Sequence, residues 1–343
     1  MDISSDADSL RPTKRRRGPG YQSECPLNRP SMDKHLWLPD GDIVLRVEGC
    51  GMRVHRRILR CSSVFGDMFS LPQPSHLDVE QVDGCASVTL AGDKVHDWDV
   101  ALKWLYEKEC VCPAPHTFCG SLTDPPSNNL VLSAFLAQIV TFDTIAGALR
   151  LGTKYDMEEL RGWAIAQLLL RWPEDVAEMR LTSLPHAAEA IALARECSVA
   201  RILPAAFYAL SVQKFSTLAD GGRSHCALSP PDLRRLLAGR EALQDVLLRI
   251  LIEPLTEPGC PASDNSSCGQ CAARRSQYIR AKFAPEACAK APWGPWLVRE
   301  LEGMVNDDVF LRSLCSDCVH AHLTTARWRL GRLRCDMVAF FLL

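Results

Sequence analysis

Between residues 42 and 69 the hydrophobic period changes, and that switch constrains the fold more than any other feature. Residues 42–47 (DIVLRV) read as a strand, residues 49–51 (GCG) as a glycine-bearing turn, and residues 52–55 (MRVH) as the returning strand. Two short apolar runs around such a turn are the pattern of a hairpin. Over residues 57–69 the apolar positions Ile58, Leu59, Val64, Phe65, Met68 and Phe69 fall instead at helical spacing. Ser62 and Ser63 can start that helix, and Pro72 and Pro74 end it. Residues 87–90 (SVTL) predict a third short strand. Val95, Trp98, Ala101, Leu102 and Leu105 then mark an amphipathic helix.

After residue 129 only the helical period remains. Phe135, Ile139, Phe142, Ala146 and Leu149 form one stripe, and Asp156 with Glu159 makes a variant capping box for a helix over 157–170, stopped by Pro173. Further helices are predicted at 185–197, 201–213, 231–238 and 240–251, separated by the Gly221-Gly222 and Pro230-Pro231 pairs. Residues 107–128, with three Cys and four Pro, read as a loop insertion. Residues 253–275 are loop-like, 276–330 helical with Trp293, Trp296 and Trp328, and the apolar 338–343 reads either as a terminal strand or as the product of a gene end in the wrong frame. The expected class is therefore α+β: a small sheet flanked by helices, followed by an all-helical extension. The expected parts are a disordered tail (1–33), an α+β domain (34–180), a helical extension (181–252) and a cysteine-containing helical region (253–343).

Composition narrows the function classes. With 47% apolar residues a sizeable core can form, and 39 basic against 41 acidic residues argue against coating nucleic acid by charge alone. The apolar stretch over 130–140 is broken by Ser133 and Gln138 and is shorter than the roughly 20 residues of a membrane span. The start, MDISSDADS, has no apolar run of a secretory signal, so the expected location is nucleus or cytoplasm. There the 16 cysteines read as reduced thiols or metal ligands rather than a disulfide framework. Lys14, Arg15, Arg16 and Arg17 form a basic run that fits either a nuclear-import signal or a solvated charge cluster.

The ordered set DIVLRV at 42–47, VHRRIL at 54–59 and SSVFGDMF at 62–69 resembles the BTB/POZ domain. LRLGTKYDM at 149–157, ALAREC at 192–197, LPAAFYAL at 203–210 and GREAL at 239–243 resemble a narrower group, the fungal (mushroom-type) BTB proteins. The resemblance covers roughly residues 35–320. It implies a BTB/POZ fold and a role in protein–protein assembly, with itself or other BTB proteins as partners. It also implies service either as a substrate adaptor for a cullin-type ubiquitin ligase or as a transcription-regulatory scaffold recruiting transcription factors. It implies no catalytic activity, and no direct nucleic-acid contact is expected. Asp42, Ile43, Leu45, His55, Phe65, Met68 and Phe69 are the candidates for a dimer interface. Asp42 reads either as a buried carboxylate near that interface or as a turn cap, and His55 as a satisfied core histidine. The 107–128 insertion falls near the face an adaptor would turn to a cullin.

The sharpest chemical signal is cysteine spacing. Cys268 with Cys271, and Cys315 with Cys318, are two Cys-x2-Cys pairs. Such a pair sets two thiolates on one ion, so together they compose a closed structural zinc site. The competing reading is thiols in loops and packed helices, because 43 residues separate the pairs, against roughly 15–20 in a compact zinc ribbon. Cys260, His320 and His322 are reserve ligands, and Cys110, Cys112 and Cys119 form a poorer second cluster. No Gly-x-Ser-x-Gly, phosphate-binding loop, His-Glu-x-x-His or dinucleotide fingerprint occurs, so no enzyme is expected.

Overall fold

The structure, a computed structural model, describes residues 31–32, 36–72, 81–111, 140–213, 228–252, 266–283 and 296–343. Its N-terminal part is built on the predicted hairpin. Strands β2 (Ile43–Val47) and β3 (Cys50–Val54) pair antiparallel through the two-residue turn Glu48-Gly49. Both turn residues have positive φ, 48° and 81°, the primed-turn geometry that follows the natural strand twist and that glycine adopts without strain. Cys50 and Gly51, expected in the turn, therefore already belong to the ladder. Short β1 (Ser31–Met32) runs parallel to β3, and β5 (Cys85–Thr89) runs parallel to β2 and antiparallel to β4 (Gln81–Val82). The sheet order is β1-β3-β2-β5-β4. On central β2 the residues Ile43, Val44, Leu45 and Val47 are all buried, so both of its faces are covered.

The single helix expected over 57–69 is two: α1 (Arg56–Leu59) and α2 (Ser63–Ser70). Ser62 breaks the run because its hydroxyl caps α2, accepting from the Phe65 N–H at 3.1 Å. The same hydroxyl donates to the Tyr155 carbonyl. Helix α3 (Val95–Val111) continues four residues past the predicted start of the loop; the rest of that insertion, with Cys112 and Cys119, lies outside the described residues. Phe142, Ala146 and Leu149 are buried on α4 (Phe142–Lys154), but so are Thr144, Ile145, Gly147, Ala148 and Leu151, so the helix is covered on nearly all sides rather than along one stripe; Phe135 and Ile139 lie outside the described residues. The expected capping box of α5 (Glu158–Arg171) does not form. Asp156 sits at positive φ, and its carboxylate accepts from the Ser63 hydroxyl at 2.5 Å, tying this turn to α2. A second tie is buried: Asp93 accepts from Trp98 Nε1 at 2.9 Å, Lys154 Nζ at 2.6 Å and the Tyr155 hydroxyl at 2.5 Å. Phe65, Trp98 and Tyr155 close around it as an aromatic cluster.

The helical extension follows: α6 (Ala187–Glu196), α7 (Leu203–Ser211), α8 (Pro230–Ile252), α9 (Ser266–Lys282), α10 (Leu297–Asn306), the short α11 (Asp308–Leu311) and α12 (Ser316–Phe340). The helices expected over 231–238 and 240–251 are one: α8 runs unbroken through Gly239. A side chain there would strike the ring of Phe341, which is fully buried and stacks on Phe207 at 5.4 Å. The apolar chain end thus packs as the last turn of α12 and the residue after it, and the expected terminal strand is corrected: the ring needs α8 as its floor, not a sheet edge. One hydrophobic cluster runs from Leu36 to Phe341. No described helix is long and apolar enough to cross a membrane.

Candidate metal centre

Helix α9 starts at Ser266, so Cys268 and Cys271 lie on a helix, not in the loop expected over 253–275. Cys315 is the N-cap of α12 and Cys318 lies in its first turn. The sulfurs of Cys271, Cys315 and Cys318 all lie within 4.8 Å of one another. Cys271 and Cys318 are buried and Cys315 is half-buried. Zinc–sulfur bonds of about 2.3 Å in a tetrahedron set sulfurs about 3.8 Å apart, so a contraction of about 1 Å or less brings these three onto one ion. The Cys315 N–H donates to Cys271 Sγ at 3.5 Å. The N-terminus of a 25-residue helix, α12, also begins at Cys315.

The surroundings follow the same two helices. One turn beyond Cys271 on α9 is Arg275, only 3% exposed, with Nε and Nη2 making no hydrogen bond. One turn beyond Cys318 on α12 is His322, fully buried. Its Nε2 lies 3.1 Å from the Met304 carbonyl, so Nε2 carries the proton and Nδ1 is left as an acceptor without a partner. Burial pushes the His322 pKa down; the Met304 carbonyl opposes that and Arg275 adds to it, so the ring is neutral at pH 7. Tyr278 stacks on Phe310 at 3.7 Å, and its hydroxyl donates to Asp307 Oδ2 at 2.8 Å. Asp307 Oδ1 in turn accepts from the Phe310 N–H at 3.0 Å, capping α11. The Phe310 amide, the Tyr278 hydroxyl and, more weakly, Lys282 hold the Asp307 carboxyl below the usual carboxylate range.

The predicted ligand set is therefore brought together in three of its four members. Cys268 is one turn before Cys271 on α9, and its side chain lies outside the described residues. His320 is exposed, His322 is not part of the thiol cluster, and Cys260 lies outside the described residues. The 43-residue separation is bridged because the chain leaves α9, forms α10 and returns through α11 to the start of α12. Sequence reasoning missed Arg275. Its signal was available, since Cys271/Arg275 and Cys318/His322 share a four-residue spacing that stacks them on one helix face.

The interface candidates scatter by burial. Ile43, Leu45 and Phe65 are at most 1% exposed and face the chain's own core. Met68 and Phe69 are half-buried, and Val64 beside them is 44% exposed. Asp42 is exposed and caps α1, its Oδ1 accepting from the Arg56 N–H at 2.7 Å. His55 is satisfied by side chains: Nδ1 meets the Tyr106 hydroxyl at 3.0 Å and Nε2 meets Asp40 at 3.2 Å. Lys14, Arg15, Arg16 and Arg17 lie outside the described residues. Compared with known proteins, the chain matches no family model and no curated sequence.

Proposed function

We propose that this chain is a non-enzymatic protein-interaction module of the BTB/POZ kind, and that a structural zinc ion on Cys271, Cys315 and Cys318 organises its C-terminal helices. One observation carries the first half. The residues that bear the resemblance gather in a single unit: Ile43, Val44, Leu45, Val47, Val54, Ile58, Leu59 and Phe65 are all buried, in a small sheet with its first two helices. The same unit leaves an apolar strip of Val64, Met68 and Phe69 at the surface of α2. That strip is the self-association surface on this reading, and the long helical extension holds the partner. Such a protein serves as a substrate adaptor for a cullin-type ubiquitin ligase. The basic run from Lys14 to Arg17 favours the second reading, a nuclear scaffold for transcription factors.

Light scattering on the purified full chain tests the shared premise. An oligomer at micromolar concentration is expected, weakened by Phe69→Glu; a strict monomer refutes it. Affinity purification from the native cells separates the two roles. A cullin with its RING subunit marks the adaptor, and transcription proteins without a cullin mark the scaffold.

A further inference from the structure

We infer that the thiol centre is a metal-dependent clip: a soft divalent cation of the zinc class, bound by Cys271, Cys315 and Cys318, is what docks helix α9 on the start of α12. This rests on the zinc reading above and adds what the ion does.

Helix α9 is thinly anchored. Of its described side chains only Cys271, Arg275 and Ile279 are buried, with Phe283 just past its end. One of these is a ligand candidate and one is a cation, which leaves Ile279 and Phe283 as the aliphatic and aromatic anchors. Its other ties include Tyr278, which bonds Asp307, stacks on Phe310 and meets the His322 ring edge-on at 6.3 Å, the exposed Arg274, which donates to the Ser313 carbonyl at 2.6 Å, and packing beside α8. Arg275 works against docking by itself, because a buried guanidinium with unpaired N–H groups is costly. A metal centre changes that balance. Three thiolates and one divalent cation carry a net charge of about −1, placed one turn from Arg275 along the helix. The ion also joins positions 44 residues apart, where a loop-closing tether counts most. Without the ion, Arg275 stays buried with Nε and Nη2 unbonded.

The experiment uses the full chain purified under reducing conditions. Bound zinc is measured by elemental analysis, and hydrogen exchange over 270–283 is followed before and after chelation. One zinc per chain is expected, with exchange protection of α9 falling at least tenfold on zinc removal while β2, β3 and α4 are unchanged. Cys271→Ser and Cys315→Ser should abolish binding, and Cys335→Ser, an exposed thiol outside the cluster, should not. Cobalt(II) added to the chelated wild type should restore α9 protection and give the thiolate charge-transfer band, which keeps the test independent of whether the variants fold. No zinc or cobalt binding, or a disulfide within the three cysteines by mass spectrometry, overturns both the zinc reading and the clip. Metal binding with unchanged α9 protection overturns the clip alone.

Discussion

Gly239→Ala sets two effects of opposite sign against each other. In an exposed helix interior, alanine is better than glycine by about 1 kcal/mol. Here the new Cβ would stand 2.0 Å from Cδ1 and Cε1 of Phe341 and 2.9 Å from its Cγ. Carbon atoms rest about 3.5–4.0 Å apart, so the ring must retreat by about 1.5 Å. It has little room: Phe341 is fully buried and stacked on Phe207. Overpacking a filled site costs about 1–3 kcal/mol or more, and complete ejection of the ring approaches the about 3–5 kcal/mol of a Phe→Ala change. Less the gain in propensity, the net expectation is destabilisation by up to about 4 kcal/mol. In a Phe341→Ala background the clash is gone, and Gly239→Ala should stabilise by about 1 kcal/mol. Urea unfolding followed by circular dichroism reads both as midpoint shifts at constant slope. A midpoint that rises for Gly239→Ala in the wild-type background would show that helix propensity alone decides, and that Phe341 does not rest on α8.

Burial pushes the Asp93 carboxyl up, but hydrogen bonds from Lys154, Tyr155 and Trp98 more than offset it, so its pKa is lowered in the folded chain. Its contribution is therefore complete above the unfolded value of about 3.9 and is lost as pH falls through the lower folded value. Asp93→Asn should cost about 1–3 kcal/mol at pH 7 and flatten acid unfolding below about pH 4, and an unchanged acid transition would refute the network. Asp42→Ala removes the cap of α1 and should cost about 1 kcal/mol in the same urea assay; no shift would show that water replaces it fully. On the zinc reading, chelation should lower the thermal midpoint in wild type and leave it unchanged in Cys318→Ser, since a ligand that binds only the folded state stabilises by mass action.

The elements were largely legible because each follows from local period. DIVLRV, the glycine turn and the Ser62 cap are short-range signals, and they reappear as β2, the Glu48-Gly49 turn and the start of α2. Errors came where a distant partner overrode a local preference. Asp156 looked like a helix cap but bonds Ser63, which is 93 residues away. The helices expected over 231–238 and 240–251 are one, and a ring from the other end of the extension fills the space that the missing side chain of Gly239 leaves between them. The run over 338–343 had strand-like content, yet Phe341 is held where α7 and α8 accept it.

The candidate centre divides the same way. Spacing named Cys271, Cys315 and Cys318 before any fold was known, because a Cys-x2-Cys pair is a local statement about how two sulfurs can meet one ion. Whether two pairs 43 residues apart share that ion is a statement about how α9 packs on the start of α12, and no short-range pattern encodes it. Nor does sequence tell a solvated arginine from a buried one: Arg275 is one of several arginines around it, and only the helix packing removes it from water. Local chemistry thus selected the residues, and long-range packing decided which of them meet, because only tertiary contacts remove side chains from water and bring distant ones together.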